Sequence, residues 1–312
     1  MAKKQKVLAF VWDFTVTPLE LYGWQDGLKA ALQRLAFDHD WFVKVIASDK
    51  VEEIYEQVEE LRPDYVLCWG SLDRPSFAGI RNVAPDAVIG LCFAGGGTQH
   101  PHLANFDVVF VESATYEEAF KKQGINVVRA FGTNDELFSP MPLKKRWVGI
   151  YPAAFARWKR HALFAEALGQ DGLAVGRLLE GELECADVCV KHGATIMPQL
   201  PYEVLPYLYA QSRFAVITAN SHGGSQRTVL EAMAMNIPPI VMADSDKCSE
   251  YVQDSGFGRV VEPTVEAIRN AISEMMADKA LGKSQSGREY VLSKYSTQGY
   301  SDALYLGLTS IK

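Results

Sequence analysis

The sequence predicts an α/β protein built as two parallel-sheet domains. Short β-branched runs alternate with helix-length amphipathic segments along the chain, the pattern of parallel strands joined by crossover helices. Its 312 residues are about two domains' worth. The alternation stops at residues 134–146 (NDELFSPMPLKKR), where Pro140 and Pro142 interrupt both periodicities, and then resumes.

In the first half, KVLAFVW (Lys6–Trp12) reads as a strand and Gly23–Ala36 as a helix with Leu28, Leu32 and Leu35 on one side. WFVKVIAS is a second strand and VEEIYEQVEELR a second helix. DYVLCWG, AVIGLCFA, DVVFVES and NVVRAF supply further strands, with a short helix near Thr115–Gln123. The second half restarts with the strand RWVGIY and a helix over Lys159–Leu168. GLAVGRLL, ADVCVKHG and ATIMP follow as strand candidates. PYEVLPYLYAQS carries a helical apolar stripe despite its prolines. FAVITAN, PPIVMA and GRVVEP are strands, with a helix at Val229–Met235 between the first two. Thr264–Met276 and Arg288–Leu308 read as closing helices. The expected organisation is therefore two Rossmann-like domains: residues 1–142, completed by the terminal helix at 288–312, and residues 143–287. Such sheets bind ligands outside the carboxyl ends of their strands, and paired domains bind them across a cleft.

Composition narrows the function. Hydrophobic residues at 48% and charged residues at 22% are globular values. The formal charge of −7 disfavours nucleic acid as a partner. That charge is uneven: 13 basic and 20 acidic residues precede position 143, and 18 of each follow. A bound anion is accordingly expected in the second half. The longest near-apolar run, Ala87–Ala94, is far short of the ~20 residues of a transmembrane helix. MAKKQK leads straight into a strand, with no secretory leader pattern. Five scattered cysteines suit reduced thiols and a cytoplasmic location.

Two strand–loop–helix units have the chemistry to hold a diphosphate. The loop Ser221–Thr228 follows FAVITAN and opens a helix near Ser225. Gly223 and Gly224 admit close approach to the backbone. The unpaired amides of the first turn, through Gln226, Arg227 and Thr228, present partial positive charge. Glu231 lies three residues after Thr228, where a carboxylate can accept hydrogen bonds from ribose hydroxyls; a capped helix with a solvated Glu is the equal alternative. In YPAAFARWKRHALF, the cations Arg157, Lys159 and Arg160 gather where a helix begins, against the usual charge preference there. Lys159 as a point charge and Arg157 or Arg160 as a fork suit a diphosphate, and a solvated basic rim is the alternative.

These segments resemble glycosyltransferase family 4 (group 1), with its GT-B fold. YEVLPYLYAQSRFAVITANS is similar to the family's helix and following strand. TVLEAMAMNIPPIVMADSDKCSEYVQDSGFGRVVEP is similar to its L-E-A-M-A-x-G-x-P-V-V block and the E-x-V segment beyond it. WVGIYPAAFARWKRHALFAEAL is similar to the v-G … K-G/R segment. VESATYEEAFKKQGINVVRAFGTNDELFSP is similar to the hinge ending in F-x-P, and PLELYGWQDGLKAAL to the first glycine-containing loop and helix. The resemblance implies metal-independent transfer of a sugar from a nucleotide diphosphate donor with retention of configuration, and no cofactor. It implies that Glu231 holds the ribose and that Lys159, with Arg157 or Arg160, neutralises the departing diphosphate. The 223–228 loop would supply amides and Gly23 would border the phosphates. It also implies that residues 1–142 form the acceptor domain and 143–287 the nucleotide-sugar donor domain, and that the terminal helix crosses back to the first.

The chain departs from the pattern at three places. Gly223 stands where the family has a second carboxylate, Ile150 where it has a basic residue, and Ala94 where it often has a histidine, with His100 and His102 nearby. A catalytically silent nucleotide- or nucleotide-sugar-binding protein is the alternative those departures raise. A nucleotide-sugar epimerase lacks an evident acid–base carboxylate pair here. Asp244-Ser245-Asp246 and Asp38-His39-Asp40 fit a D-x-D metal pattern but read better as loop caps. Cys185, Cys189 and His192 lack a fourth zinc ligand. Ala94–Gly97 reads as a plain turn rather than a phosphate cradle, and Trp24 suits either a core position or stacking on a sugar.

Overall fold

The computed structural model describes residues 5–13, 27–221, 226–278 and 284–311. The chain forms two compact units, Met1–Phe131 with Thr297–Lys312 and Gly132–Ser296.

The first unit runs β1 (Lys6–Asp13), α1 (Gly27–His39), β2 (Trp41–Ser48), α2 (Val51–Leu61), β3 (Tyr65–Gly70), α3 (Ile80–Val83), β4 (Val88–Phe93), β5 (Val108–Val111), α4 (Ala114–Lys121) and β6 (Val127–Arg129). Its strands are all parallel, in the order β2-β1-β3-β4-β5-β6. Alternation along β1 sends Ala9 and Val11 to a core shared with Ile54 and Val58 of α2. Leu8, Phe10 and Trp12 face the opposite core, with Leu28, Leu32 and Leu35 of α1. Burial on both faces is what a parallel sheet requires.

The second unit runs β7 (Trp147–Pro152), α5 (His161–Leu168), β8 (Gly172–Gly176), α6 (Glu184–Lys191), β9 (Thr195–Pro198), α7 (Leu205–Ala210), β10 (Ser212–Ile217), α8 (Gln226–Ala234), β11 (Pro239–Met242), α9 (Asp246–Ser255), β12 (Arg259–Val261), α10 (Val265–Ala277) and α11 (Ser286–Lys294). Its parallel sheet has the order β12-β11-β10-β7-β8-β9. α12 (Thr297–Thr309) then returns to the first unit. Helix α8 is almost wholly buried, and Asn236 turns the chain after it in the left-handed conformation (φ 57°). That is the place of the glycine in the family's block, and asparagine tolerates this conformation better than other side chains.

Three expectations need correction. ADVCVKHG is not a strand: residues 184–191 form α6, because Cys185, Ala186 and Cys189 bury at helical spacing. Arg288–Leu308 is two helices, parted at Tyr295 and Ser296, and they belong to different units. In α11, Gly287 lies so close to Phe257 that a Cβ would sit 2.2 Å from its ring, tying that helix to the second unit. In α12, a Cβ at Gly307 would meet the Phe110 ring at 2.4 Å, tying that helix to the first unit's sheet. The division also falls at Phe131–Gly132, ahead of the expected seam at Pro142. Phe138 is fully buried in the second unit against Tyr202 and Tyr209, and its carbonyl accepts from Arg288 at 2.9 Å. The prolines mark a loss of periodicity rather than the seam.

Candidate functional site

In the second unit the chain leaves β7 toward β8 and β9, then returns to place β10 on β7's other side. The order therefore reverses between β7 and β10. Helices following those two strands diverge, which leaves room for a ligand at the carboxyl edge. The segments singled out from the sequence lie here: residues 153–160 follow β7, and residues 218–225 follow β10 and lead into α8.

Hydroxyl groups brace this edge. The Lys159 carbonyl accepts from Tyr151 Oη at 3.2 Å and from Thr218 Oγ1 at 2.8 Å. Thr218 Oγ1 also lies 3.0 Å from the Arg160 carbonyl. Thr228 Oγ1 donates to the Pro152 carbonyl at 3.1 Å, joining the first turn of α8 to the end of β7. The backbone at Lys159 and the amino end of α8 are thus fixed to the same pair of strands.

The three cations differ in what they meet. Arg157 is exposed and pairs with Glu184 at 2.8 Å and Glu182 at 3.4 Å. Arg160 adopts the left-handed conformation (φ 52°) just before α5 begins. Its guanidinium forks onto Asp244, with contacts of 2.6 and 2.8 Å, and also donates to the carbonyls of Thr218 (2.6 Å) and Ala219 (3.1 Å). It links the ends of β7, β10 and β11, and its hydrogen bond holds the Asp244 carboxyl below the usual carboxylate range. Lys159 lies partly buried in the one-turn helix Arg157–Lys159, and its charge reaches the neighbouring His161. The cations therefore precede α5 rather than occupy its first turn. Asp244, one half of a D-x-D pattern, is a partner of Arg160.

Glu231 is 3% exposed. It accepts from Tyr202 Oη on one oxygen and from Tyr209 Oη at 3.1 Å on the other. Tyr209 Oη also lies 3.3 Å from the Thr228 carbonyl. Burial, reinforced by the Glu231 charge, pushes Tyr209 well above its ordinary pKa, so it remains a protonated donor. The sequence reading missed these tyrosines. Their signal was present in the helical stripe of PYEVLPYLYAQS, taken there as core alone.

Gly23, Gly223, Gly224, Ser225 and Trp24 lie outside the described residues, as does the side chain of Gln226. Arg227 is partly buried and Thr228 buried on the first turn of α8. Cys185, Cys189 and Cys248 are buried, reduced cysteines. Among the described residues no three His, Cys, Asp or Glu side chains gather as a metal set, and no helix is long and apolar enough to cross a membrane.

Residues 179–290 match the family described as glycosyl transferases group 1. That match lies within the second unit. The full chain is similar to a glycosyltransferase from Rickettsia africae ESF-5, with 15% identity over 99% of both chains and a TM-score of 0.73. It is similar to sucrose-phosphate synthase from Thermosynechococcus elongatus, with 17% identity over 99% of this chain and 100% of that one and a TM-score of 0.70. HepE of Anabaena, solved in complex with UDP and glucose, aligns at 15% identity over 98% and 100% with a TM-score of 0.70. No curated protein sequence matches the chain. The chain has the GT-B fold, and the match over residues 179–290 likens its second unit to the group 1 glycosyl transferases.

Two outcomes follow for this unit. Removing the Arg160 fork leaves Asp244 and two carbonyls short of donors. Arg160→Ala costs about 2 kcal/mol, which lowers the thermal midpoint by roughly 4–8 °C. Asp244→Ala should cost less and add little to Arg160→Ala when the two are combined. The second outcome concerns His161, buried between the Tyr151 and Phe155 rings. Burial first, and the Lys159 charge second, lower its pKa from 6.5 to about 3. The unfolded chain therefore binds the proton that the folded chain refuses. Stability is full above about pH 6.5 and falls toward pH 3, by about 1.4 kcal/mol per unit from this group. His161→Phe, measured by denaturant titration across that window, should decline less steeply than wild type.

Proposed function

We propose that the protein is a metal-independent, retaining glycosyltransferase whose second unit holds a nucleotide diphosphate sugar at the β7–β10 reversal. The observation that carries this is the bracing of the Lys159 segment and the amino end of α8 onto the same two strand ends. A diphosphate lodged there meets the Lys159 cation and the positive end of the α8 dipole. Both are in place before charge develops on the leaving group, which is the condition for strong transition-state stabilisation. Glu231 supplies a buried carboxylate that already takes hydroxyl donors, the partners a ribose offers. The anomeric carbon–diphosphate oxygen bond breaks, a bond from an acceptor hydroxyl forms on the same face, and the hydroxyl proton passes to the departing diphosphate. HepE with UDP and glucose supports a donor of this class. Neither this chemistry nor donor binding calls for a resident cofactor, and reduced buried thiols suit a cytoplasmic protein.

A second reading, a catalytically silent nucleotide-sugar-binding protein, is favoured by the commitment of Arg157 and Arg160 to carboxylates and by Gly223 in place of a carboxylate. Donor hydrolysis separates the two. The enzyme turns over a nucleotide sugar slowly in water and faster with acceptor, whereas the silent protein binds it unchanged. Calorimetry tests the donor site itself. UDP should bind wild type at least tenfold more tightly than Glu231→Gln, and 2′-deoxy-UDP should bind wild type correspondingly weakly. Equal affinities would remove the ribose contact.

A further inference from the structure

The candidate site occupies the carboxyl edge of the second unit's sheet, and the amino edge carries a separate concentration of charge. Lys144, Lys145 and Arg146 lead into β7. Arg213 is the second residue of β10, which pairs beside β7 with Ser212 level with Trp147. The six residues of β7 part the two edges by about 17 Å at the rise of a strand.

Four arginines elsewhere in this unit have protein acceptors. Arg157 and Arg160 meet carboxylates, Arg269 the carbonyls of Glu166 and Ala167, and Arg288 those of Phe138 and Ala234. The amino edge differs. Among the described residues no carboxylate pairs with Lys144, Lys145, Arg146 or Arg213, and the guanidiniums of Arg146 and Arg213 have no protein acceptor.

Two of these cations are held in place with donors to spare. The Lys145 ammonium donates to the Ala210 carbonyl at the end of α7 (3.0 Å) and to the Ser212 carbonyl at the start of β10 (2.7 Å). An ammonium has three N–H donors, so one is left over. Arg146 stands over the Trp147 indole, with Cζ 4.7 Å from the ring centre, a contact that fixes the guanidinium without consuming its N–H groups. Burial first, and the Arg213 charge second, hold Lys145 below the usual lysine range. Lys145 and Arg213 are thus like charges set close together, with no carboxylate to offset them among the described residues.

Like charges held together repel, and a bound anion removes the repulsion. Two guanidinium forks and an ammonium offer donors from several directions, which suits the tetrahedral oxygens of a phosphate better than a planar carboxylate. The chain as a whole carries −7, so a long polyanion meets repulsion beyond these four cations and a compact anion does not.

We infer that the amino edge of the second unit's sheet, at Lys144, Lys145, Arg146 and Arg213, binds a phosphate group. This site lies at the opposite edge from the proposed donor site and does not depend on it.

Nuclear magnetic resonance on the full chain tests it, with inorganic phosphate and pyrophosphate as probes and acetate at matched ionic strength as the control. At least one probe should shift the amides of Lys145, Arg146, Trp147 and Arg213 saturably, where acetate does not. Replacing both exposed arginines, Arg146→Gln with Arg213→Gln, should weaken that response roughly tenfold or more, with an unchanged circular dichroism spectrum. Lys144→Gln with Arg213→Gln provides the same comparison if the first pair does not fold. Shifts caused by UDP at residues 157–161 should be the same in the variant as in wild type, which separates this edge from the donor site. Vesicles of phosphatidylcholine with and without phosphatidate then distinguish the source of the phosphate. Sedimentation with the phosphatidate vesicles alone, lost in the variant, identifies a lipid headgroup, and no sedimentation identifies a soluble phosphate ester. Absence of a saturable shift with both soluble probes, an equal response to acetate, or wild-type affinity in a folded variant overturns the inference.

Discussion

The reversal of strand order between β7 and β10 is the constraint from which the second unit's chemistry follows. Two parallel strands end side by side while their chains depart in opposite directions, so backbone at that edge has no neighbouring strand to satisfy it. The protein meets the need with side chains. Tyr151, Thr218 and Thr228 hydroxyls fill carbonyls of Lys159 and Pro152, and Arg160 fills those of Thr218 and Ala219. Rigid support of this kind is what preorganised binding of a charged group needs.

The same economy explains how Glu231 can be buried. A carboxylate without partners in the interior is costly, and an ionised one more so. Tyr209 and Tyr202 donate to its two oxygens, and Phe138, from the segment that enters this unit, packs on both rings. Arg288 ties the Phe138 carbonyl to that of Ala234 at the far end of α8. The entry segment, two tyrosines and the last helix of the unit thus converge on the helix that bears Glu231. This also explains why Phe138 belongs with the second unit.

Much of the fold was legible because parallel strands buried on both faces leave short, strongly apolar runs. All six strands of the first unit could be placed that way. ADVCVKHG misled because Ala186, Val188 and Val190 alternate as a strand would, while burial follows Cys185, Ala186 and Cys189. The terminal helices read as one because Tyr295 and Ser296 break the helix without proline or glycine. In the candidate site, charge and spacing singled out the cations and Glu231. Their partners could not: Asp244 lies 84 residues beyond Arg160, and Tyr202 lies 29 residues before Glu231. A single sequence carries no record of such pairings, so Arg157 and Arg160 looked like clamps awaiting a ligand when each has a carboxylate of its own.

The most direct test of the donor site is hydrogen–deuterium exchange on the full chain with and without UDP. The account predicts slowed exchange in peptides spanning 157–161 and 218–231, where the strand ends and the amino end of α8 meet the ligand. Protection confined to other segments, or no protection at saturating UDP, would contradict it.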